Sequence, residues 1–210
     1  MLPKLPTFRS TLMRMHKDLL RIDDIARWVD DKSNLNSFET MVIILEDRRF
    51  FDHFGFDIKA LCREFTRIIS FKNHGGASTI DMQLFRTISG RYERSYRRKL
   101  RESFGSIFIQ FRLSKISIIR TYLEVAYFGT GLSGCRSAAC KLFPHHFNDE
   151  YFIDMSKLSL REAAYLAALL VYPKPRFPGV NWHTKVSRRA DYALGLYARF
   201  EKKLNEYPIG

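Results

Sequence analysis

The sequence predicts an all-α or nearly all-α fold, and three observations carry that prediction. Apolar–polar alternation at period two, the mark of a half-buried strand, is nearly absent. Apolar positions recur instead at helical spacing, most clearly at Ile58, Leu61, Cys62, Phe65 and Ile69, which share one face. The segments between such runs hold helix starters and stoppers: Ser, Thr, Asn and Asp before them, Gly and Pro after them.

Taken in order, residues 1–36 read as a basic lead-in with a helix from about Thr11 to Val29, broken by Asp30-Asp31-Lys32-Ser33-Asn34. Residues 37–210 are long enough to bury a full core and read as one domain. Ser37-Phe38-Glu39-Thr40 caps a helix carrying Met41 to Leu45, with Glu46 near its end. Phe56 to Lys72 is an amphipathic helix whose second face carries Lys59, Arg63 and Arg67. Such a helix either lies on an anionic membrane surface or packs on the core with a solvated basic side. Lys72-Asn73-His74-Gly75-Gly76 opens a loop, and Ser78 or Thr79 caps the next helix, Ile80 to Ile88. Tyr92 to Phe111 reads as a long helix with a basic start and an apolar continuation. Another helix runs from Ser114 to Val125, followed by a turn punctuated by Gly129, Gly131 and Gly134. Leu158 to Glu162 caps a buried helix that Pro173, Pro175 and Pro178 stop. Val186 to Leu204 is the last helix.

Composition narrows the partners. The chain has 35 basic and 22 acidic residues, a formal charge of +13, so a negatively charged partner is expected. Nucleic acid, anionic lipid headgroups and a pyrophosphate-bearing substrate all satisfy that charge. No nucleic-acid module signature is present, so nucleic acid is set aside. Cys62, Cys135 and Cys140 are odd in number and lack a CxxC pair, which argues against a disulfide framework or a cysteine-based zinc site. They read as buried structural thiols, compatible with a reducing compartment and not excluding the periplasm. The N-terminus is charged without an apolar h-region, so no signal peptide is visible. The longest nearly apolar run, Ala163 to Tyr172, falls short of the ~20 residues of a membrane span. Membrane contact is therefore expected to be peripheral.

Two segments concentrate the chemistry. Glu46-Asp47-Arg48-Arg49-Phe50-Phe51-Asp52-His53-Phe54-Gly55 places an acid immediately after an apolar run. A carboxylate there is partly desolvated, which raises its pKa and suits it to proton transfer. Gly75-Gly76-Ala77-Ser78-Thr79-Ile80-Asp81-Met82-Gln83 is a glycine turn followed by hydroxyls, the composition of a substrate-cradling loop. Three further segments follow in order: Arg97-Arg98-Lys99-Leu100-Arg101-Glu102; Lys115-x-x-Ile118-Ile119-x-x-Tyr122-Leu123-Glu124-x-x-x-x-Gly129; and Arg188-Arg189 in the last helix. Alone, each has a plainer reading. Glu46 could be a helix-end charge, the arginine run a solvated face, His53 a structural hydrogen-bonder, Ser78 and Thr79 helix caps, and Lys115 and Tyr122 packing positions.

Taken together, the five collinear segments resemble the motifs of the peptidoglycan glycosyltransferases, over roughly residues 38–200. The resemblance implies a lysozyme-like helical core and a monofunctional enzyme that polymerises lipid II into glycan strands. In that family the 4-hydroxyl of an acceptor sugar attacks the anomeric carbon of a donor, with inversion. Undecaprenyl pyrophosphate leaves. The resemblance assigns the base to Glu46 and the second carboxylate to Glu102, which would orient basic groups or a metal near the leaving group. Arg98 and Lys99 become the candidates for the pyrophosphate, with Arg86 and Arg49 as weaker ones. Asp47, His53, Gly76, Ser78, Thr79, Gln83, Lys115 and Tyr122 become candidate substrate-binding positions. No resident metal site and no required cofactor are implied, with a divalent cation such as Mg2+ at the pyrophosphate as the optional aid. Lipid II and the growing strand are the implied partners. The cytoplasmic membrane, periplasmic face, is the implied location, with the 56–72 helix as its peripheral contact and protein partners unspecified.

Departures from the family pattern are specific. Where Thr-Gln-Gln usually follows Ser-Thr-Ile, this chain has Asp81-Met82-Gln83, and the usual Tyr-Leu-Asn is Tyr122-Leu123-Glu124. No N-terminal anchor is readable, and no Ser-x-x-Lys with Lys-Thr-Gly marks a transpeptidase. Two other functions compete. A lysozyme-like glycan-cleaving enzyme would use a catalytic Glu on a related core but would not need the basic cluster. An inactive module binding lipid-linked precursors or anionic membrane would fit Asp81.

Overall fold

The computed structural model describes residues 8–31, 33–60, 62, 78–93, 95–147 and 153–205. Among these, the elements in chain order are α1 (Phe8–Ala26), α2 (Ser37–Glu46), α3 (Ile80–Ser89), α4 (Tyr96–Gln110), α5 (Lys115–Val125), the strands β1 (Tyr127–Gly129) and β2 (Leu132–Ser133), α6 (Cys135–Leu142), α7 (Leu160–Ala168) and α8 (Val180–Asn205). Short 3-10 turns occupy Phe50–Asp52, Pro144–His146 and Met155–Lys157. The chain is helical, as the sequence predicts. It divides into two compact units: Met1–Asp31 with His53–Thr121, and Lys32–Asp52 with Tyr122–Gly210.

The first unit packs α1 against α3 and α4. Leu19 and Ile22 are the buried residues of α1, and they meet a core that includes Ile80, Leu84, Phe85 and Ile109. Helix α3 begins where its cap allows. The side chain of Thr79, not Ser78, accepts the Met82 amide at 3.3 Å, and the same hydroxyl donates to the Gly55 carbonyl at 2.6 Å. Gly55 has φ +80°, and a Cβ there would lie 2.7 Å from the Ser106 backbone of α4. Only glycine lets the loop lie this close to α4. Helix α3 ends at Gly90 in the left-handed conformation (φ 62°), the usual glycine stop. Ser95 caps α4 by accepting from the Arg98 amide at 3.2 Å, so that helix starts four residues later than the sequence suggests.

The second unit packs α2 against α7 and α8, and α7 against α8. Helix α2 buries Phe38 through Ile44, apolar around nearly its whole circumference, as a central helix must be. Its cap is Asn36 rather than the Ser37 segment expected. The Asn36 side chain accepts from the Glu39 amide and Glu39 reaches back to the Asn36 amide, each at 2.9 Å. Ser159 and Glu162 form the same box at the start of α7. Helix α8 begins at Val180, six residues before the predicted Val186. The Trp182 indole anchors this first turn by donating to the carbonyls of Tyr172 and Pro173 at 3.0 and 3.2 Å.

The glycine turn after α5 is an antiparallel hairpin, β1 with β2, which the sequence reading lacks. Strands of three and two residues are too short to show alternation. Gly129 (φ +145°) bridges to Lys174, whose backbone lies 2.4 Å from where a Cβ would sit. The Thr130 amide donates to the Lys174 carbonyl at 2.8 Å, and the Lys174 amide donates to Phe128 at 2.9 Å. The expectation of three buried thiols is corrected. Cys135 is buried and burial pushes its thiol pKa up, Cys140 is half-buried, and Cys62 is exposed. Of the expected 56–72 helix, Phe56 and Asp57 lie before the helical residues Ile58, Lys59, Ala60 and Cys62, with Asp57 accepting from the Ala60 amide at 3.1 Å; Leu61 and residues 63–72 lie outside the described residues.

Candidate active site

In the second unit, Glu46 is the last residue of α2. Its position follows from the buried apolar stretch before it, which holds the helix end in the core while the acid reaches the edge. The side chain is 11% exposed, and Arg189 of α8 donates to its Oε1 at 2.8 Å. The same guanidinium nitrogen donates to the Leu45 carbonyl at 3.0 Å. Arg48 donates to the Ile44 carbonyl at 3.2 Å, with its guanidinium over the Tyr192 ring at 5.2 Å. Two arginines thus satisfy the last carbonyls of α2, where the helix dipole is negative. Arg189 binds the helix end and the carboxylate together, so it fixes how Glu46 points. Asp47 follows as a buried C-cap, Arg49 pairs with Asp52 at 3.8 Å, and Tyr122 is buried.

In the first unit, Glu102 of α4 is buried, 1% exposed, between two guanidinium groups. Arg86 of α3 binds it in bidentate fashion, Nε to Oε1 and Nη2 to Oε2, both at 2.9 Å. Arg98, one turn before Glu102 on α4, donates to Oε1 at 2.7 Å. Arg86 also donates to the Ser78 hydroxyl at 3.0 Å. The cluster carries two positive charges against one negative. Glu102 accepts three hydrogen bonds from the two arginines and so holds them in place. Arg98 Nε is buried without a hydrogen-bond partner among the described residues. Lys99 is half-buried on the same helix, and Gln83 is half-buried on α3.

A second buried acid lies nearby in sequence and in the same unit. Asp81 of α3 is fully buried. Gln110 donates to its Oδ1, and the Lys115 ammonium lies 3.4 Å from its Oδ2. The departure from the family pattern at position 81 is therefore matched by a lysine counter-charge and an amide. Asp81→Asn is expected to lower unfolding stability by about 1–3 kcal/mol, because Lys115 loses its buried partner. An unchanged urea midpoint would show that Lys115 is held by other contacts.

Of the residues singled out from sequence, the structure groups Ser78, Arg86, Arg98 and Glu102 in one network and puts Lys115 on Asp81 instead. His53 is half-buried. Gly76 lies outside the described residues. Two contributions were not foreseen. Arg189 stands in the fifth segment, Arg188-Arg189, but nothing in its spacing points to Glu46, 143 residues away. Gln110 carries no sequence signal at all.

The transglycosylase family model matches residues 15–197. A biosynthetic peptidoglycan transglycosylase of Nitrosomonas eutropha is 33% identical over 149 residues, 70% of this chain and 58% of that protein. A monofunctional glycosyltransferase of Staphylococcus epidermidis is 31% identical over 159 residues, 74% of this chain and 58% of the relative. Penicillin-binding protein 2D of Bacillus subtilis is 31% identical over 163 residues, 77% of this chain but 22% of the longer protein. The chain thus spans little more than half the length of the first two and about a fifth of the third.

Proposed function

The chain belongs to the transglycosylase family, and from that membership we propose that it is a peptidoglycan glycosyltransferase that polymerises lipid II with release of undecaprenyl pyrophosphate. The observation that carries the reading is the Glu46 carboxylate held at the end of α2 by Arg189. A base must be oriented before it can take a proton from an attacking hydroxyl, and the bond from a helix-anchored guanidinium supplies that orientation. In this reading Glu46 removes the proton of the acceptor 4-hydroxyl. The oxygen attacks the donor anomeric carbon from the face opposite the pyrophosphate, so the configuration inverts.

The departing pyrophosphate needs positive charge. Arg98 and Lys99 supply it, with Arg86, and Glu102 sets the two arginines in position. The Nε of Arg98, without a hydrogen-bond partner among the described residues, is a donor suited to a phosphate oxygen. A divalent cation such as Mg2+ would share that charge when bound. No helix among the described residues is long and apolar enough to cross a membrane. The proposed contact with the periplasmic face of the cytoplasmic membrane is peripheral, through the basic amphipathic 56–72 segment.

Purified protein incubated with labelled lipid II, with and without Mg2+, is expected to yield a ladder of glycan polymers on a resolving gel. Lipid II bound but never polymerised would overturn the enzyme reading. It would favour a binding module in which Asp81 withholds Lys115 from substrate.

A further inference from the structure

The second unit holds a cluster that the glycosyl transfer does not use. His145 and His146 sit on the 3-10 turn Pro144–His146, directly after α6, and face Glu162 in the first turn of α7. His146 Nε2 lies 2.8 Å from Glu162 Oε2, and His145 Nε2 lies 3.2 Å from Oε1. The two imidazole rings lie with centroids 4.1 Å apart and planes tilted by 44°. One ligating atom from each of the three residues falls within 4.8 Å of the other two.

We propose that His145, His146 and Glu162 form a binding site for a divalent transition metal, zinc above all, with a fourth position open to solvent. Tetrahedral zinc with bonds near ~2.1 Å sets its ligand atoms about 3.4 Å apart, so the carboxylate and imidazoles need only small adjustments to admit it. Two imidazoles with one carboxylate select zinc, copper or nickel over magnesium or calcium.

The surroundings support ligation. The Ser159 amide and hydroxyl donate to Glu162 Oε2 at 2.9 and 2.7 Å, orienting the carboxylate as an outer shell orients a metal ligand. That leaves Oε1 on the side of His145. The Glu162 charge also offsets the positive end of α7. The turn itself is fixed. Pro144 occupies its first position, the His146 and Phe147 amides donate to the carbonyls of Phe143 and Pro144 at 3.1 Å, and the Phe143 ring packs on Tyr165 of α7. The His145 side chain is 64% exposed, so its close approach to Glu162 gains little in water; a metal gives the convergence of both rings a larger energetic reason. The cysteine pattern gave no reason to expect zinc, and this set uses no cysteine. The inference stands apart from the glycan chemistry.

The test uses the whole chain, stripped with chelator and titrated with Co2+ and then Zn2+. Visible d–d bands of four- or five-coordinate Co2+ are expected, bleached by stoichiometric Zn2+. His145→Ala and His146→Ala are each expected to weaken Zn2+ binding about tenfold or more, with circular dichroism unchanged. Binding that is absent, or equal in both variants and the parent, would overturn the site. So would an intense near-ultraviolet thiolate band, which would assign the metal to Cys62 or Cys140.

Discussion

Glu46→Gln is expected to abolish glycan polymerisation, lowering turnover by about 10²–10⁴-fold, the usual contribution of a positioned general base. The substitution is nearly isosteric. The amide oxygen can still accept from Arg189, whose second bond to the Leu45 carbonyl is untouched. Arg48 continues to cap the Ile44 carbonyl. The end of α2 therefore keeps its anchors, and the thermal midpoint should stay within a few degrees of the parent. Lipid II binding should persist, because the lost group acts on the acceptor proton and not on the pyrophosphate. Turnover above half the parental rate would remove Glu46 from the mechanism. Loss of activity together with loss of the folded signal would show instead that the carboxylate is structural.

Much of this architecture is legible in the sequence, and the exceptions share a cause. The amphipathic and buried runs mark α2, α3, α4 and α7, because a helix must bury one face and the spacing of Met41 to Leu45 or of Ala163 to Leu170 leaves little choice. Caps are less legible by one residue: Asn36 and Ser37 are both good starters, and only the geometry of the Glu39 return bond decides between them. The β1–β2 hairpin is hidden because its pairing is stabilised from outside, by Lys174 forty-five residues beyond Gly129, and no local pattern encodes that bridge. The candidate site divides the same way. Arg98 and Glu102 are four apart on one helix, so their pairing can be read from spacing. Arg189 on Glu46 and Gln110 on Asp81 join different elements, and their long polar side chains find partners that only tertiary packing brings near. Asp81 itself announced a departure, but not that Lys115 would answer it.

Removing Glu102 is the substitution expected to cost the fold most. Glu102→Ala should destabilise the protein by about 3–5 kcal/mol, a large share of an ordinary stability of about 5–15 kcal/mol. The carboxylate is 1% exposed and lies between Arg86 and Arg98, whose side chains are 23% and 15% exposed. With it gone, two guanidinium groups face one another across a space too buried for water to screen them fully. The Ser78 hydroxyl is neutral and cannot replace the lost charge. Glu102→Gln separates packing from charge. It keeps one acceptor for the arginines, so its stability loss should be about half as large or less, while Arg86 and Arg98 lose the charge that fixes their fork geometry. If those arginines take the leaving pyrophosphate, the Gln variant should fold and bind lipid II yet polymerise it slowly, with the defect in kcat more than in KM. Urea denaturation and steady-state kinetics on the two variants check both halves. A loss under about 1 kcal/mol for Glu102→Ala would mean that solvent already carries the arginines' charge. Full turnover by Glu102→Gln would reduce the triad to a strut between α3 and α4.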